Sequence, residues 1–196
     1  MLPSPGKHNI DNAILSIEVA KHVGLSPKQI ASGLKEYKAV GNRWKVSNLK
    51  NDIVIINDSP NNPSHATVIA SINTLVNTYK DYKIVIVLSD ILELGQYEQE
   101  LYEDIGSLID KSAIDEVILY GDNVYQIQNK IQNNITNTKY FNKIISTAIN
   151  FTVDGELTQY IVPLLTEKTV VLIKASRIMG FDKIADNIIS YLNNQA

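Results

Sequence analysis

The first fifty residues carry the apolar periodicity of α-helices. Apolar side chains recur at three- and four-residue intervals, at Ile10, Ala13, Ile14, Ile17 and Ala20. This spacing predicts a first helix, which Gly24 is placed to end. Ser26-Pro27-Lys28-Gln29 then forms a capping box with proline at the first helical position, which predicts a second helix. The pattern breaks at Gly41 and Asn42.

From residue 53 onward the pattern alternates between buried strands and helices. Apolar runs typical of strands covered on both faces occur at Ile53–Ile56, Ile84–Leu88, Glu116–Tyr120 and Thr169–Ile173. Helices are predicted at Ser64–Tyr79, Glu98–Lys111, Val124–Ile131, Leu157–Leu165 and Asp182–Leu192, and a further short strand at Lys139–Phe141. This order predicts an α/β fold, with a mostly parallel sheet and helices on both faces, preceded by a short helical segment.

Composition and charge exclude several classes of function. The chain has 196 residues, 44% apolar content and a net charge of −3, enough for a full core but without the basic patch that nucleic-acid binding needs. It has no cysteine for disulfides or thiolate chemistry, and its three histidines lack metal-ligand spacing. No apolar run approaches the ~20 residues that span a bilayer, and no signal-peptide pattern is present. We therefore expect a soluble cytoplasmic protein, with no metal site, no membrane insertion and no nucleic-acid partner.

Phosphate-binding motifs are absent from the sequence. Neither a GxxxxGK(S/T) loop nor a GxGxxG turn occurs. The chain can still bind a nucleotide through its base and ribose, but it has no evident cradle for a triphosphate. We assign no catalytic residue to it.

Polar and charged residues follow three of the predicted strands, and in a parallel sheet such loops meet at the edge where ligands bind. Asp58 follows the first of these strands, where an acidic group commonly accepts hydrogen bonds from ribose hydroxyls; the alternative is an Asx-turn. Ser89–Gly95 follows the second strand and Lys174–Arg177 the last. Together the three loops indicate a binding site.

Two further candidates precede the sheet. Asn9 and Asn12 lie three residues apart in the first predicted helix, so their amides share one side and can match the edge of an adenine. Helix capping is the simpler interpretation of both. Arg43 lies beside the only tryptophan and suits a phosphate or carboxylate, because a guanidinium can bond bidentately; a solvated charge is the alternative.

Taken together, these segments resemble the Mur ligases over nearly the whole chain. The matching segments, in order, are the GxHNxxN-like opening within Gly6–Ala13, the turn Gly41–Arg43, the strand into Asp58-Ser59 with the asparagine-proline loop after it, Leu88–Gly95 and Ile173–Met179. The last two resemble the LGDMLELG and LKGSRxM segments of the D-alanyl-D-alanine-adding branch of the family. Five matches in order make the resemblance specific.

The resemblance implies an ATP- and Mg²⁺-dependent amide ligase of peptidoglycan precursor synthesis, which adds D-alanyl-D-alanine to UDP-MurNAc-tripeptide. It places residues 1–45 at the helical tail end of a central ATPase domain and residues 46–196 in a C-terminal Rossmann-like domain. The family's first domain and most of its second have no counterpart here. We therefore expect the chain alone to be inactive and to bind neither ATP nor Mg²⁺ tightly.

By the same resemblance, the predicted nucleotide-binding residues are Asn9, Asn12, Arg43 and Asp58. The predicted substrate-binding residues are Asp90, Glu93, Lys174, Ser176 and Arg177. Arg177 is expected to hold the terminal carboxylate of the dipeptide, because a guanidinium fork matches a planar anion. The competing interpretation is a structural ion pair with Asp90 or Glu93.

Three departures from the branch pattern keep other functions open. Asp58–Pro63 is one residue shorter than the usual DSYNANP and lacks its tyrosine, and Ala175 replaces the usual glycine. Ile56–Ser59, followed by Ala66-Thr67, is similar to the D-glutamate-adding branch. The alternatives are therefore another Mur-type amide ligase, D-glutamate-adding or a polyamino-acid synthetase, and a Rossmann-like binding module without catalysis.

Overall fold

A computed structural model of the chain describes residues 7–37, 44–59, 62–132, 137–142, 153–176 and 181–194. The chain forms two compact units, Met1–Gly41 and Asn42–Ala196. The first is a pair of helices and the second contains the sheet.

The helical unit contains α1 (Lys7–His22) and α2 (Pro27–Glu36). Gly24 follows the end of the first helix with a φ of 85°, a left-handed conformation that glycine adopts without strain, and Leu25 N–H donates to Ala20 O at 3.0 Å. The predicted capping box is present, since Ser26 Oγ accepts from Gln29 N–H and the Gln29 side chain accepts from Ser26 N–H. Both predicted helices are therefore confirmed.

Most apolar side chains of α1 lie at the surface. The exposed fractions are 51% for Ile10, 53% for Ile14, 67% for Leu15 and 58% for Val19, whereas Ala13 is 9% exposed. A two-helix unit of this length cannot bury the apolar side chains on several sides of one helix.

The second unit is built on one six-stranded sheet. Its strands are β1 (Lys45–Asn48), β2 (Val54–Asn57), β3 (Lys83–Ser89), β4 (Glu116–Gly121), β5 (Asn137–Asn142) and β6 (Thr169–Lys174). They lie in the order β1-β2-β6-β3-β4-β5, and every neighbouring pair is parallel except β1 with β2. The prediction of an α/β fold with a mostly parallel sheet is confirmed.

Helices cover both faces of this sheet. They are α3 (His65–Thr78), α4 (Glu98–Asp110), α5 (Val153–Ile161) and α6 (Ile184–Asn194), with short 3-10 segments at Lys50–Asp52, Gly95–Tyr97, Val124–Lys130, Val162–Leu164 and Phe181–Lys183. Buried residues of α3 and α4 share one core with Ile56, Ile86 and Leu172. Buried residues of α5 and α6 share the other with Ile55 and Val85. Neighbouring residues of a strand therefore enter opposite cores, as the pleat requires.

Three sequence predictions need correction. The first fifty residues are not all helical, because Lys45–Asn48 pairs antiparallel with β2 as an edge strand. Its one apolar residue, Val46, is 39% exposed, so the strand lacks the continuous apolar run by which the other strands were predicted. Val124–Lys130 is a 3-10 segment where an α-helix was predicted, and α5 gives way to 3-10 geometry at Val162, beside Pro163.

Candidate active site at the carboxyl edge

The carboxyl ends of the parallel strands bring the three predicted loops together. We call this border the carboxyl edge and define it by residues 57–59, 89–93, 121–124 and 174–176. Strand β6 lies between β2 and β3, so its last residues contact both neighbouring loops. Asp58 N–H donates to Ile173 O at 2.8 Å, and Ser176 N–H donates to Ser89 Oγ at 2.9 Å.

Asp58 is held by three hydrogen bonds at this edge. Its Oδ2 atom accepts from Lys174 Nζ at 2.6 Å and from Ser71 Oγ on α3 at 3.1 Å. Its Oδ1 atom accepts from Trp44 N–H at 3.3 Å. A carboxylate has about four acceptor positions, so among the residues that the structure describes one position on Oδ1 stays open.

The Asx-turn predicted as an alternative for Asp58 is formed one residue earlier. Asn57 Oδ1 accepts from Ser59 N–H at 3.1 Å and from Ser59 Oγ at 2.6 Å. Asn57 is 2% exposed, and its Nδ2 atom has no hydrogen-bond partner within the described part of the chain. The turn is therefore present, but it leaves the carboxylate of Asp58 free for other contacts.

Asp90 holds the backbone of the neighbouring loop. Its Oδ2 atom accepts from Asp122 N–H at 2.8 Å, and its Oδ1 atom accepts from Asn123 N–H at 3.0 Å and Val124 N–H at 2.8 Å. Asp90 is 5% exposed, and a Cβ atom on Gly121 would overlap its carboxyl group. The side chain predicted to bind substrate thus joins the loop after β3 to the loop after β4.

The loop after Asp90 is fixed by a buried tyrosine of α4. Ile91 N–H donates to Tyr102 Oη at 2.9 Å, and burial raises the pKa of the Tyr102 phenol well above its ordinary value. Glu93 follows in a left-handed conformation with a φ of 65°, and its side chain is exposed. A non-glycine residue held at such a φ often marks a functional loop.

Ser176 connects the last strand to the loop before α3. It is fully buried, and its Oγ atom donates to Asn62 Oδ1 at 2.7 Å. Ser89, 2% exposed, accepts from the Ser176 backbone through its Oγ atom. Lys174 is 5% exposed, so its ammonium group faces Asp58 and not solvent.

The structure describes only part of the remaining predicted site. Asn12 is exposed on α1, and its carbonyl oxygen accepts from Ser16 Oγ at 2.8 Å. The side chain of Asn9, and the whole of Arg43 and Arg177, lie outside the described residues. The predicted roles of these four residues stay predictions.

Comparison with known families shows to which family this chain belongs. The family model described as "Mur ligase, glutamate ligase domain" matches residues 42–177, which is more than half of the chain. The chain belongs to the Mur ligase family. The resemblance inferred from the sequence motifs is confirmed, and the match falls on the unit that carries the sheet.

Two curated relatives of this Mur ligase chain match along most of its length. The UDP-N-acetylmuramoyl-tripeptide–D-alanyl-D-alanine ligase of Bacillus subtilis (strain 168) is 30% identical over 190 residues, 96% of this chain and 39% of that protein. The ligase of the same name from Haemophilus influenzae is 26% identical and aligns with 93% of this chain and 37% of its own length. The chain thus spans well under half of these relatives.

Solved structures of Mur ligases share the fold. The MurF ligase from Thermotoga maritima in complex with ADP has a TM-score of 0.72 at 19% identity and matches 98% of this chain and 40% of that one. A MurF structure from Acinetobacter baumannii has a TM-score of 0.75 at 19% identity, with 96% and 39% of the two chains matched.

Three residues of this Mur ligase site were not predicted from the sequence: Ser71, Gly121 and Tyr102. Ser71 had a usable signal, because it lies on the buried side of α3 beside Val68, Ile72 and Leu75. A polar residue among buried apolar positions needs a partner, here Asp58. Gly121 has a φ of 154°, a conformation that its place at the end of a strand did not reveal.

The described residues contain neither a cluster of metal ligands nor a membrane-spanning helix. No group of three or more histidine, cysteine, aspartate or glutamate side chains is placed to hold a metal ion there. Within those same segments, no helix is long and apolar enough to cross a membrane.

Proposed function

We propose that this chain is the C-terminal part of an ATP-dependent ligase that adds D-alanyl-D-alanine to UDP-MurNAc-tripeptide in the cytoplasm. The alignment with the Bacillus subtilis D-alanyl-D-alanine ligase carries the proposal, because it runs through 190 residues and both predicted units. The family model alone would fit other Mur ligases equally well.

The proposed reaction forms one amide bond at the expense of ATP. The tripeptide carboxylate attacks the γ-phosphorus of ATP, which gives an acyl phosphate and ADP. The amine of D-alanyl-D-alanine then attacks the acyl carbon, loses a proton and expels inorganic phosphate. Among the described residues no group of three or more metal-ligating side chains occurs, and the sequence has no phosphate loop. We therefore assign Mg²⁺ and the triphosphate of ATP to the rest of the proposed ligase.

The nucleotide side of the proposed site is Asp58. Its open Oδ1 position, at the carboxyl end of β2, suits a ribose hydroxyl donor. By the family resemblance alone, Asn9 and Asn12 are the paired asparagines, of which Asn12 would face adenine, and Arg43 is the phosphate-side arginine.

The substrate side of the proposed site lies on the loops after β3 and β6. Glu93, Ser176 and Arg177 are the proposed contacts of D-alanyl-D-alanine, with Asp90 fixing the first of these loops. Arg177 would bind the dipeptide carboxylate, and the arginine follows directly on buried Ser176.

The helical unit is proposed to be the tail end of the central ATPase domain, residues 1–45, with residues 46–196 as the C-terminal domain. The exposed apolar side chains of α1 support this assignment, because Ile10, Ile14 and Leu15 need a larger core to cover them.

NMR titration of the ¹⁵N-labelled chain tests this function. We expect millimolar ADP to shift the amide signals of residues 57–59, and D-alanyl-D-alanine to shift those of residues 91–93 and 174–176. D-glutamate and L-alanine are the matched controls for other Mur ligases, and L-alanyl-L-alanine is the control for stereochemistry. Equal shifts with all four amino-acid ligands would contradict the D-alanyl-D-alanine assignment. Steady ATP hydrolysis by the pure chain would contradict the proposal that the rest of the ligase binds the triphosphate and Mg²⁺.

A further inference from the structure

The ammonium group of Lys174 is buried against a carboxylate, although the residue lies at the ligand-binding edge. The side chain of Lys174 is 6% exposed and that of Asp58 13% exposed, and the two charges are 2.6 Å apart. Removing a lysine charge from water costs several kcal/mol unless a partner compensates it. Among the ion pairs of the described residues, this one has the most deeply buried partners.

The sheet register explains why these two side chains meet. Asn57 pairs with Ile173 across the parallel strands β2 and β6, so Asp58 and Lys174 are the next residues along each strand. Lys174 continues the alternation of Val170 and Leu172, which enter the core beneath α3 and α4. Ser71 reaches the same carboxylate from α3. The pair therefore lies between β2, β6 and α3 and is fixed from three sides.

The two side-chain donors select one oxygen of Asp58. Lys174 and Ser71 both donate to Oδ2, which fills its two acceptor positions. Oδ1 accepts only from Trp44 N–H among the described residues, at the longer distance of 3.3 Å. The carboxylate is thus held in one orientation, in which Oδ1 is the oxygen able to accept a further hydrogen bond.

We propose that Lys174 is a positioning residue for nucleotide recognition: it fixes Asp58 through Oδ2 so that Oδ1 accepts from a ribose hydroxyl. This inference rests on the proposed function, which makes Asp58 the ribose acceptor. It differs from the sequence-based prediction that Lys174 binds the amino-acid substrate, and the experiment below distinguishes the two roles. Strand β6 then serves both ligands, with Lys174 acting through Asp58 on the nucleotide and the residues after it acting on the dipeptide.

The experiment compares ADP with 2′,3′-dideoxy-ADP in the ¹⁵N-labelled chain, with affinities taken from NMR titrations. Loss of a hydrogen bond to a charged acceptor weakens binding roughly tenfold, so we expect wild-type protein to prefer ADP by about that factor. In Lys174→Met this preference is expected to fall to about twofold or less. A role limited to folding would weaken both nucleotides equally and leave the ratio unchanged.

Lys130→Met is the matched control. Lys130 Nζ pairs with Glu103 Oε2 at a distance of 3.0 Å, and neither residue belongs to the carboxyl edge. This variant should keep the wild-type ratio. Ser71→Ala provides a second variant should Lys174→Met fail to fold, since it removes the other donor to Oδ2 without leaving a charge unpaired. We expect it to reduce the ratio about threefold.

The outcomes separate this inference from the function on which it rests. If wild-type protein does not distinguish the two nucleotides, the ribose role of Asp58 fails, and the role of Lys174 fails with it. If wild-type protein prefers ADP and the Lys174 and Ser71 variants keep that preference, only the positioning role is overturned. A Lys174→Met protein that keeps the preference but loses D-alanyl-D-alanine binding would show instead that Lys174 is a substrate ligand.

Discussion

Replacement of Asp90 by alanine should destabilise the sheet unit strongly, because this side chain joins two loops of the carboxyl edge. Asp90 is 5% exposed and accepts three backbone N–H bonds, from Asp122, Asn123 and Val124. Alanine removes all three acceptor contacts. The 3-10 segment that begins at Val124 then loses the group that caps its first N–H donors.

The expected magnitude follows from the burial of these donors. A hydrogen bond to a charged group contributes about 1.5–3 kcal/mol, but losses at neighbouring donors are not additive. The N–H groups of Asp122 and Asn123 are part-buried and can turn to water, whereas the Val124 bond is buried. We therefore expect Asp90→Ala to lower the free energy of unfolding by about 3–4 kcal/mol, at the upper end of single substitutions.

Trp44 provides the assay. It is the only tryptophan, and it packs against the core beneath α3 and α4, so its fluorescence reports unfolding of the sheet unit. With a urea m-value of about 2 kcal/mol/M, the midpoint should fall by about 1.5–2 M with m unchanged. Asp81→Ala removes an exposed aspartate and should stay within about 0.5 kcal/mol of wild type. A loss below about 1 kcal/mol for Asp90→Ala would refute the anchoring role.

The contact between Asp90 and Gly121 adds a test by double-mutant cycle. An added Cβ atom at Gly121 would overlap the Asp90 carboxyl group, and the φ of 154° is itself strained for alanine. Gly121→Ala alone should therefore cost about 2–4 kcal/mol. In the Asp90→Ala background the overlap is gone, so the added cost should fall by at least about 1 kcal/mol. Strict additivity would show that the two residues do not share this contact.

Two further predictions concern α4 and the helical unit. Burial raises the pKa of the Tyr102 phenol above its ordinary value of about 10. The neutral phenol therefore stabilises the folded state fully below about pH 10, and this contribution to the free energy of unfolding is lost as the pH rises towards the folded-state pKa. Urea unfolding should show that Tyr102→Phe is less stable than wild type at neutral pH but loses less stability per pH unit above about 10; parallel slopes would contradict this. Gly106→Ala should destabilise the sheet unit by about 1–3 kcal/mol, because its Cβ atom would overlap the Ile127 carbonyl oxygen. Gly33→Ala, with no atom near its Cβ position, should instead raise the helicity measured by circular dichroism. The reasoning would be refuted if Gly106→Ala raised the stability and Gly33→Ala lowered the helicity.

The sheet could be predicted because its parallel strands are buried on both faces. Residues such as Val85, Ile86 and Val87 are all fully buried, and a continuous apolar run of this length is typical of a parallel strand between two layers of helices. The edge strand β1 could not be found in this way, since Val46 is its only apolar residue and one face is open to solvent. The 3-10 geometry after Asn123 also escaped prediction, and no local pattern shows that the distant carboxylate of Asp90 accepts from the first N–H groups of this segment.

The position of the site could be predicted, but the contacts within it could not. Strand ends fix which residues reach the carboxyl edge, and Asp58, Asp90 and Lys174 all lie there. The partners are set by the fold: Lys174 is 116 residues from Asp58, and Val124 is 34 residues from Asp90. No local spacing contains that information. The sequence places Asp90 at this edge but gives no sign of the three N–H donors from which its carboxylate accepts, and its role in substrate binding stays a prediction.

Asp58 and Asp90 accept hydrogen bonds from different kinds of donor, and this difference indicates different roles for the two residues. Asp90 is bound by three backbone N–H groups, and a ligand that displaced the buried Val124 N–H would leave that donor unpaired. Asp58 is bound on Oδ2 by side chains and keeps room on Oδ1, so it can accept from a ligand without losing a bond. A ligand at this edge should therefore contact the β2 loop at the carboxylate of Asp58. On the β3 loop it should instead meet Glu93, which is exposed and held in place by the loop that Asp90 and Tyr102 fix.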